Sequence, residues 1–310
     1  MKVHYSFESY INIKKPVVTV GTFDGVHIGH QTIIERLKTI AKKIDGETVL
    51  LTFYPHPRKV ILNDQSNLKL INTKNEKIKL LEQYGLDHLF IHPFNEEFSR
   101  ISPTSYVRDL LVNQLKTNHL VIGYNHQFGR NREGNLTLLT ELSSIYDFNI
   151  EEISAQQINE IKVSSTKIRA AIEAGNIATA NNYLGHTFSI SGKVIQGNKL
   201  GRTIGFPTAN IKIDESDKIC PPKGVYAVRV KLDNQTLNGM MNIGTRPTIE
   251  KEQTTLSNEV HIFNFNKDIY NLTIQIEFIA RIREEKKFND INGLKQQLID
   301  DQKKSMEILS

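Results

Sequence analysis

Two histidines three residues apart lie in the stretch GTFDGVHIGHQ, residues 21–31, directly after the apolar run VVTV. His27 and His30 lead into a segment whose apolar residues recur at helical spacing, so the stretch is predicted to join a strand to a helix. The N-terminus of such a helix offers free N–H groups and a positive dipole to an anion, and Gly29 lets the backbone come close. Imidazole N–H groups can then hydrogen-bond phosphate oxygens as charge builds in a transition state.

The same pair of histidines allows two other interpretations. Histidines at this spacing can reach one zinc ion, although the sequence offers no obvious third ligand nearby and its one cysteine, Cys220, is far away. A turn that carries two structural histidines has the same spacing. The three interpretations, a phosphate site, a zinc site and an ordinary turn, have to be compared with the other polar stretches of the chain.

Polar side chains gather in three further stretches, two of which also follow predicted strands. The stretch TFYPHP, residues 52–57, has prolines that fix the backbone and a histidine, His56, that can project toward the same edge. GYNHQFGRNREG, which begins at residue 123, offers Asn125 for recognition and glycines and arginines for phosphate. SSTKIR, residues 164–169, opens a helix with hydroxyls placed to cap it and adds two cations. Helix caps and surface charges are the plain alternative, but they do not explain why the stretches gather where a nucleotide should bind.

A glycine-rich stretch in the second half of the chain, GKVIQGNKLGRTIGFPTAN, residues 192–210, predicts a second phosphate site. It lacks the closing G-K-[ST] of a P-loop, but its spaced glycines would let a loop wrap phosphates through backbone N–H groups. The rigid Pro207 would present Thr208 and Asn210 as hard oxygen ligands, which suit magnesium. A flexible hairpin is the alternative for a glycine-rich loop considered alone.

The elements that must position the first set of residues alternate between strand and helix. One apolar stripe, formed by Ile33, Ile34, Leu37, Ile40, Ala41 and Ile44, predicts the first helix, and a helix pair is predicted over 165–184. Alternating strands and helices indicate an α/β fold with a Rossmann-like parallel sheet, whose ligands bind beyond the carboxyl ends of the strands. The predicted strands are VVTV (17–20), TVLLTF (48–53), HLFI (88–91), HLVIG (119–123) and FNIEEI (148–153).

From about residue 186 the apolar period changes to two. In one predicted strand, one face carries Tyr226, Val228, Val230 and Leu232, and the opposite face carries Ala227, Arg229 and Lys231. A second predicted strand repeats the pattern with Leu272, Ile274, Ile276 and Phe278 on one face. Strands of this kind with Gly and Pro between them predict a small antiparallel β-barrel closed by a C-terminal helix over 289–309. We therefore expect two domains, 1–185 and 186–310.

The composition excludes several classes of protein. The chain has 310 residues, enough for two cores, and no apolar run near the roughly 18 residues of a membrane span. The N-terminus carries no export signal and a single cysteine forms no internal disulfide, which favours the cytoplasm. Lysine and arginine outnumber acids 39 to 34, but the basic residues are scattered, which favours small polyanions over nucleic acid as partners.

The first four stretches together resemble one enzyme family. G-x-F-D-G-x-H-x-G-H, T-F-x-P-H-P, F-G-x-x-x-x-G and S-S-T-x-I-R, in this order, resemble the adenylyltransferase half of bacterial bifunctional riboflavin kinase/FAD synthetases. The H-x-G-H part alone is shared with a wider nucleotidyltransferase superfamily. The resemblance implies catalytic roles for His27 and His30 and nucleotide or flavin binding by Gly21, Phe23, Asp24, Gly29, His56, Asn125, Arg132, Ser164, Thr166 and Arg169.

The glycine-rich stretch resembles the riboflavin kinase signature of the same family along its whole length. MNIGTRPT (241–248), EVHIFNF (259–265) and ARIREEKKF (280–288) match later family elements. The resemblance implies that Thr208 and Asn210 hold Mg²⁺ and that Glu259 takes the proton from the ribityl hydroxyl that attacks the γ-phosphate. It further implies binding roles for Gly197, Gly201, Arg202, Gly205 and Arg246. One departure is Asn264, which stands where typical members have Asp.

Covering roughly residues 15 to 290, the resemblance implies a two-domain enzyme. The C-terminal barrel would phosphorylate riboflavin with MgATP to give FMN, and the N-terminal domain would transfer AMP from ATP to FMN, giving FAD and pyrophosphate. One alternative is a nucleotidyltransferase of other specificity with the barrel as a binding module. Another is a regulator that binds flavin or nucleotide without catalysis; a DNA-reading helix pair would favour it, and none is evident in the sequence.

Overall fold

The structure is a computed structural model whose residues fall into two compact units. The first comprises Met1–Lys69 and Thr73–Ser165, and the second Leu70–Asn72 and Thr166–Ser310. In the part of the chain that is described, no helix is long and apolar enough to cross a membrane. The structure describes residues 1–9, 12–62, 67–124, 126–154, 163–197, 200–213, 215–233, 235–246, 255–288 and 290–310.

A parallel sheet of six strands forms the centre of the first unit. Its strand order is β1-β4-β3-β2-β5-β6, and every neighbouring pair is parallel. The strand order changes direction at β2, which lies between β3 and β5, so a crevice opens beyond the carboxyl ends of β2 and β5. The strands are β1 (Lys2–His4), β2 (Val17–Val20), β3 (Thr48–Tyr54), β4 (His88–Pro93), β5 (His119–Gly123) and β6 (Asn149–Ile153).

The helices of the first unit cover the apolar sheet on both faces. Val18 and Val20 of β2 belong to one core cluster, whereas Val17 packs with Leu37 and Ile40 from the predicted apolar stripe. Burial on both faces explains why β2 is a continuous apolar run rather than an alternating one. The helices are α1 (Ile28–Ile44), α2 (Pro57–Ile61), α3 (Lys74–Gln83), α4 (Glu96–Ser99), α5 (Pro103–Ser105) with a π-helical continuation (Tyr106–Gln114), and α6 (Leu136–Tyr146).

A closed barrel of six antiparallel strands forms the second unit. The strand order around the barrel is β10-β11-β8-β7-β12-β9. The α/β fold and the barrel with its C-terminal helix are therefore confirmed. The strands are β7 (Ser189–Ile195), β8 (Ala209–Lys212), β9 (Gly224–Leu232), β10 (Gln235–Arg246), β11 (Thr255–Ile262) and β12 (Thr273–Arg283), and the remaining helices are α7 (Ser165–Glu173), α8 (Ile177–Leu184), α9 (Leu200–Thr203) and α10 (Ile291–Leu309).

Two details of the predicted alternation are wrong. Ala227, expected on the polar face of β9, is fully buried, and Val225 on the same face is buried beside it. Both pack with Leu309 because α10 covers this outer face of the barrel. Leu272, expected to face the core, is 43% exposed because β12 begins only at Thr273.

Candidate active sites of the two units

The turn between β2 and α1 carries the two histidines of the opening motif. It leaves the sheet where the Gly21 N–H donates to the Leu51 carbonyl at 3.1 Å, and α1 begins at Ile28. His27 is the N-cap residue of α1, and its side chain makes no capping hydrogen bond to the helix. The predicted strand–turn–helix junction is therefore present, and both imidazoles lie at the helix N-terminus.

The two imidazole rings stack on each other. Their centroids lie 3.7 Å apart with an angle of 15° between the planes, and the His30 ring also contacts Phe23 at 4.6 Å. Burial, then the charge of His27, then that of Lys77 hold the pKa of His30 well below its usual value. Nδ1 of His30 is buried and has no hydrogen-bond partner among the described residues. The ring is accordingly neutral at pH 7, with one N–H available to donate.

The stacked geometry does not fit the zinc interpretation. A ligating imidazole directs its nitrogen lone pair in the ring plane at a metal about 2.0–2.1 Å away. Nearly parallel rings 3.7 Å apart direct their lone pairs side by side rather than at one point. Within the described ranges, moreover, no group of three or more His, Cys, Asp or Glu side chains is placed to hold a metal ion.

His56, the histidine of the second stretch, has a structural contact. It is buried and caps α2, with its Nδ1 accepting from the Arg58 N–H at 3.2 Å. Because Nδ1 accepts, the neutral ring carries its proton on Nε2. The capping alternative is thus realised at this position, and the nucleotide role of His56 stays a prediction.

The third and fourth stretches are only partly described. Asn125 lies outside the described residues, and Arg132 is exposed with a left-handed backbone (φ 61°). Ser164 is also exposed, but its neighbour Ser165 donates from Oγ to the Asp24 carbonyl at 2.9 Å. Ser165 thus reaches the histidine turn, a contact that the sequence did not single out. Thr166 and Arg169 belong to the second unit.

In the barrel, the predicted base and metal ligands come together across β8 and β11. Thr208 Oγ1 donates to one oxygen of Glu259 at 3.1 Å, and Ser257 Oγ donates to the other at 2.9 Å. Asn210 is the direct cross-strand partner of Glu259 and is 8% exposed. A Cβ on Gly197 would lie 2.0 Å from the Asn210 amide nitrogen, so a larger residue at position 197 would displace the Asn210 side chain.

The loop before Thr208 is closed by backbone contacts. The Phe206 N–H donates to the Gly201 carbonyl at 2.8 Å, and a Cβ on Gly201 would lie 2.1 Å from the Phe206 oxygen. Gly205 adopts a left-handed φ of 86°, which favours glycine. The backbone conformation therefore explains both glycines in a phosphate loop and in a plain turn alike, and phosphate binding by this loop stays a prediction.

An open cleft of about 320 Å³ lies beside this loop. Arg202 and Thr208 contribute polar groups, and Tyr270 and Phe265 contribute aromatic surface. Polar and apolar surfaces contribute about equally to the lining, so the cleft is more polar than a typical small-molecule pocket. The full lining is Val194, Arg202, Pro207, Thr208, Ala209, Val260, Ile262, Phe265, Asn266, Lys267, Asp268, Ile269 and Tyr270.

His261 supports the loop from β11 and was not predicted as a site residue. It is 8% exposed, and burial lowers its pKa. Its Nδ1 lies 2.7 Å from the Pro207 carbonyl and donates to it, and its ring meets Phe206 edge-on at 5.2 Å. The sequence could have indicated His261 by its position two residues after Glu259, because residues two apart in a strand have their side chains on the same face.

The remaining predicted residues of the barrel are at strand ends. Arg246 pairs through its backbone with Thr255, and its side chain lies outside the described part. Asn264, the departure from the family pattern, is exposed and has a left-handed φ of 55°. Asn tolerates this conformation better than most residues, so the substitution fits the turn that it occupies.

The donor set around Glu259 fits magnesium in its chemistry. The Thr208 hydroxyl and the Asn210 amide oxygen are hard oxygen groups, which Mg²⁺ prefers, and the Glu259 carboxylate lies beside them. Mg²⁺ is commonly held by one or two protein groups together with substrate phosphates and water.

Comparison with known proteins matches both units. Residues 11–167 match the family model described as FAD synthetase, and residues 184–309 match the one described as riboflavin kinase. A bifunctional riboflavin kinase/FMN adenylyltransferase of Bacillus subtilis (strain 168) is 38% identical over 298 residues, 96% of this chain and 93% of that protein. Its counterpart in Escherichia coli (strain K12) is 36% identical over 287 residues, 92% of this chain and 90% of that protein.

One solved structure resembles the chain over almost its whole length. It bears the name macrolide-efflux protein from Streptococcus pneumoniae, has a TM-score of 0.85 and 28% sequence identity, and the match covers 98% of both chains. The likeness concerns the fold, and the name describes that protein.

Proposed function

This chain belongs to the bifunctional riboflavin kinase/FMN adenylyltransferase family, and we propose from its geometry which residues carry each of the two reactions. The flavokinase part is C-terminal and phosphorylates riboflavin to FMN. The FAD synthetase part is N-terminal and adenylylates FMN to FAD. For the division between them we retain the boundary at residues 185 and 186 as a proposal.

Glu259 is the general base of the kinase reaction. It takes the proton of the ribityl hydroxyl as that oxygen bonds to the γ-phosphorus of ATP and the bond to the bridging β–γ oxygen breaks. The hydrogen bonds from Thr208 and Ser257 orient its carboxylate, and they are the observation that carries the assignment. Thr208 and Asn210 would hold Mg²⁺, which neutralises phosphate charge when bound. Gly197, Gly201, Arg202, Gly205 and Arg246 would bind the substrates.

His27 and His30 stabilise the adenylyl transfer. An oxygen of the FMN phosphate attacks the α-phosphorus of ATP, and pyrophosphate leaves. The imidazoles of His27 and His30 at the N-terminus of α1 donate N–H groups to the phosphate oxygens, in addition to the helix dipole. The position of both rings at the helix start supports this role. ATP and FMN binding is assigned to Gly21, Phe23, Asp24, Gly29, His56, Asn125, Arg132, Ser164, Thr166 and Arg169.

The partners follow from the two reactions. The substrates are ATP, riboflavin and FMN. We assign the protein to the cytoplasm, which its single cysteine supports. We expect no nucleic-acid partner, because the basic residues are scattered along the sequence.

Replacing the proposed base tests the kinase assignment. Glu259→Gln keeps size and hydrogen bonding but removes the proton acceptor, and loss of a general base costs roughly 10²- to 10⁴-fold in rate. FMN formation from riboflavin should fall by that factor, while FAD formation from supplied FMN persists. Glu307→Gln, at an exposed position on α10, makes the same charge change as a control. An unchanged rate of FMN formation in Glu259→Gln would remove Glu259 from the mechanism.

A further inference from the structure

The turn that presents the two histidines has an unusual backbone. Phe23 and Val26 both have left-handed φ values, 47° and 40°, in addition to Gly25 at 86°. A β-branched residue such as valine rarely adopts this region, because its side chain crowds the backbone. Such conformations persist only where the surrounding structure holds them.

Side-chain donors from four elements hold the carbonyl groups of this turn. Ser165 donates to the Asp24 carbonyl at 2.9 Å. Gln31 Nε2, from α1, donates to the Val26 carbonyl, also at 2.9 Å. The Thr22 carbonyl accepts two hydrogen bonds, one from Lys77 Nζ of α3 at 2.7 Å and one from Thr52 Oγ1 of β3 at 3.2 Å. Lys77 is the charged member of this set, and its hydrogen bond is the shortest.

The start of α3 is fixed, so Lys77 reaches the turn from a defined position. Thr73 and Glu76 form a reciprocal capping box, with hydrogen bonds of 3.1 and 3.0 Å, and both side chains are buried. The Lys77 N–H then donates to the Thr73 carbonyl in the first turn of the helix. A capping box of this kind fixes where the first helical turn begins.

We propose that Lys77 is a positioning residue for adenylyl transfer, whose ammonium group holds the Thr22 carbonyl and thereby the turn that presents His27 and His30. The proposal rests on the roles assigned above to the two histidines. Lys77 also acts on His30 through charge, because a nearby ammonium disfavours a second positive charge. His27 and Lys77 are the charged groups that lower the pKa of His30, after burial. Lys77 therefore keeps both the position and the neutral state of the ring.

The test compares two substitutions of Lys77 with a matched control. Lys77→Met keeps the apolar stem but removes the ammonium, and Lys77→Gln keeps a neutral donor in case the first variant does not fold. Lys79→Met makes the same change at an exposed position of the same helix. For each purified protein, kcat and the KM for ATP are measured for FAD formation from FMN between pH 5 and pH 8. Riboflavin phosphorylation by the same samples is the internal control.

We expect Lys77→Met to lower kcat for FAD formation by about 10- to 100-fold, the scale of a misplaced catalytic group, with a smaller change in KM. Riboflavin phosphorylation and Lys79→Met should stay at the wild-type rate. In both Lys77 variants the acid limb of the FAD-synthesis profile should move to higher pH, because the pKa of His30 rises when the positive charge is removed. If Lys77 only stabilised the fold, its substitution would lower the rate of FAD formation by the same factor at every pH, and this result would contradict the proposal.

His30→Ala separates failure of this proposal from failure of the proposed function. If His30→Ala loses FAD synthesis while either folded Lys77 variant keeps the wild-type kcat and acid limb, the role of Lys77 is wrong and that of the histidine stands. If His30→Ala itself forms FAD at the wild-type rate, the histidine assignment is wrong and the Lys77 proposal falls with it.

Discussion

At the scale of single residues, both sites hold their reactive groups by hydrogen bonds from neighbouring elements. Glu259 accepts from Thr208, at the start of β8, and from Ser257 on its own strand. The Pro207 carbonyl, next to Thr208, is held in turn by His261. Because the donors come from a rigid barrel, the carboxylate is oriented before substrate binds, which reduces the cost of reaching the transition state.

Two partly buried histidines, His126 and His30, make the stability of the first unit depend on pH. Burial lowers the pKa of His126 to about 4, whereas an unfolded imidazole has a pKa near 6.5. Between these values the unfolded chain binds more protons, so stability is present above pH 6.5 and is lost as the pH falls. This group should lower the free energy of unfolding by about 2 kcal/mol between pH 7 and pH 5. His30 also makes the free energy of unfolding fall as the pH falls, because burial lowers its pKa in the folded protein.

Urea unfolding at pH 7 and pH 5 checks this expectation. The first unit should unfold at lower urea concentration at pH 5, and His126→Gln should lose part of that difference, because the variant has no imidazole to protonate. The same pH dependence in wild type and variant would show that His126 is protonated as readily in the folded state as in the unfolded chain.

The sequence singled out the residues proposed to react, but not the residues that support them. His27, His30, Thr208 and Glu259 belong to short motifs whose chemistry can be recognised from residue type and spacing. Lys77 is 55 residues from Thr22 along the chain, and its contact with the Thr22 carbonyl arises only when α3 packs against β3 and β4. No local sequence pattern indicates a contact between residues so far apart in the chain. Supporting residues of this kind can therefore be identified only once the fold is known.

At the scale of elements, α10 is joined to the barrel by an ion pair between a buried aspartate and a partly buried arginine. Arg283 of β12 donates to both carboxylate oxygens of Asp301, with Nε–Oδ1 at 2.9 Å and Nη2–Oδ2 at 2.7 Å. Asp301 is 2% exposed and also accepts from Gln297 at 3.0 Å. Beside this pair, Leu309 packs on Val225 and Ala227. The helix is thus fixed by both a polar and an apolar contact.

Removing the buried carboxylate should destabilise the second unit. Asp301→Ala leaves the partly buried Arg283 guanidinium without this partner. Breaking a fully buried ion pair costs about 3–5 kcal/mol, and this pair should cost less because the Arg283 side chain is 20% exposed. Asp300→Ala, at the exposed neighbouring position, should change stability little. Thermal unfolding of the three proteins measures the difference, and equal unfolding temperatures for both variants would contradict the role of the pair.

Periodicity predicted the elements well where one face alone is buried. The alternation in β9 and β12 identified the barrel, and the apolar stripe identified α1. The pattern failed for Ala227, because a helix distant in sequence covers the outer face of its strand. It also missed β1, which has three residues at the edge of the sheet and is too short for a period to be recognised.

At the scale of the whole molecule, the chain combines two folds with two reaction centres. The parallel sheet supplies a helix N-terminus at a strand end, which suits the phosphates of an adenylyl transfer. The barrel supplies a row of oxygen groups across two strands, which suits a metal-assisted phosphoryl transfer. The proposed catalytic residues of each centre, His27 and His30 in one and Glu259 in the other, lie in different units, so a substitution of one set should leave the chemistry of the other intact.

The most direct measurement of this separation is a chromatogram of the products that full-length variants form from riboflavin, ATP and Mg²⁺. Glu259→Gln alone should form neither FMN nor FAD at an appreciable rate, and His30→Ala alone should stop at FMN. A mixture of the two variants should form FAD, because the FMN released by one is adenylylated by the other. Formation of FAD from riboflavin at the wild-type rate by either variant alone would contradict the assignment of the two reactions to these residues.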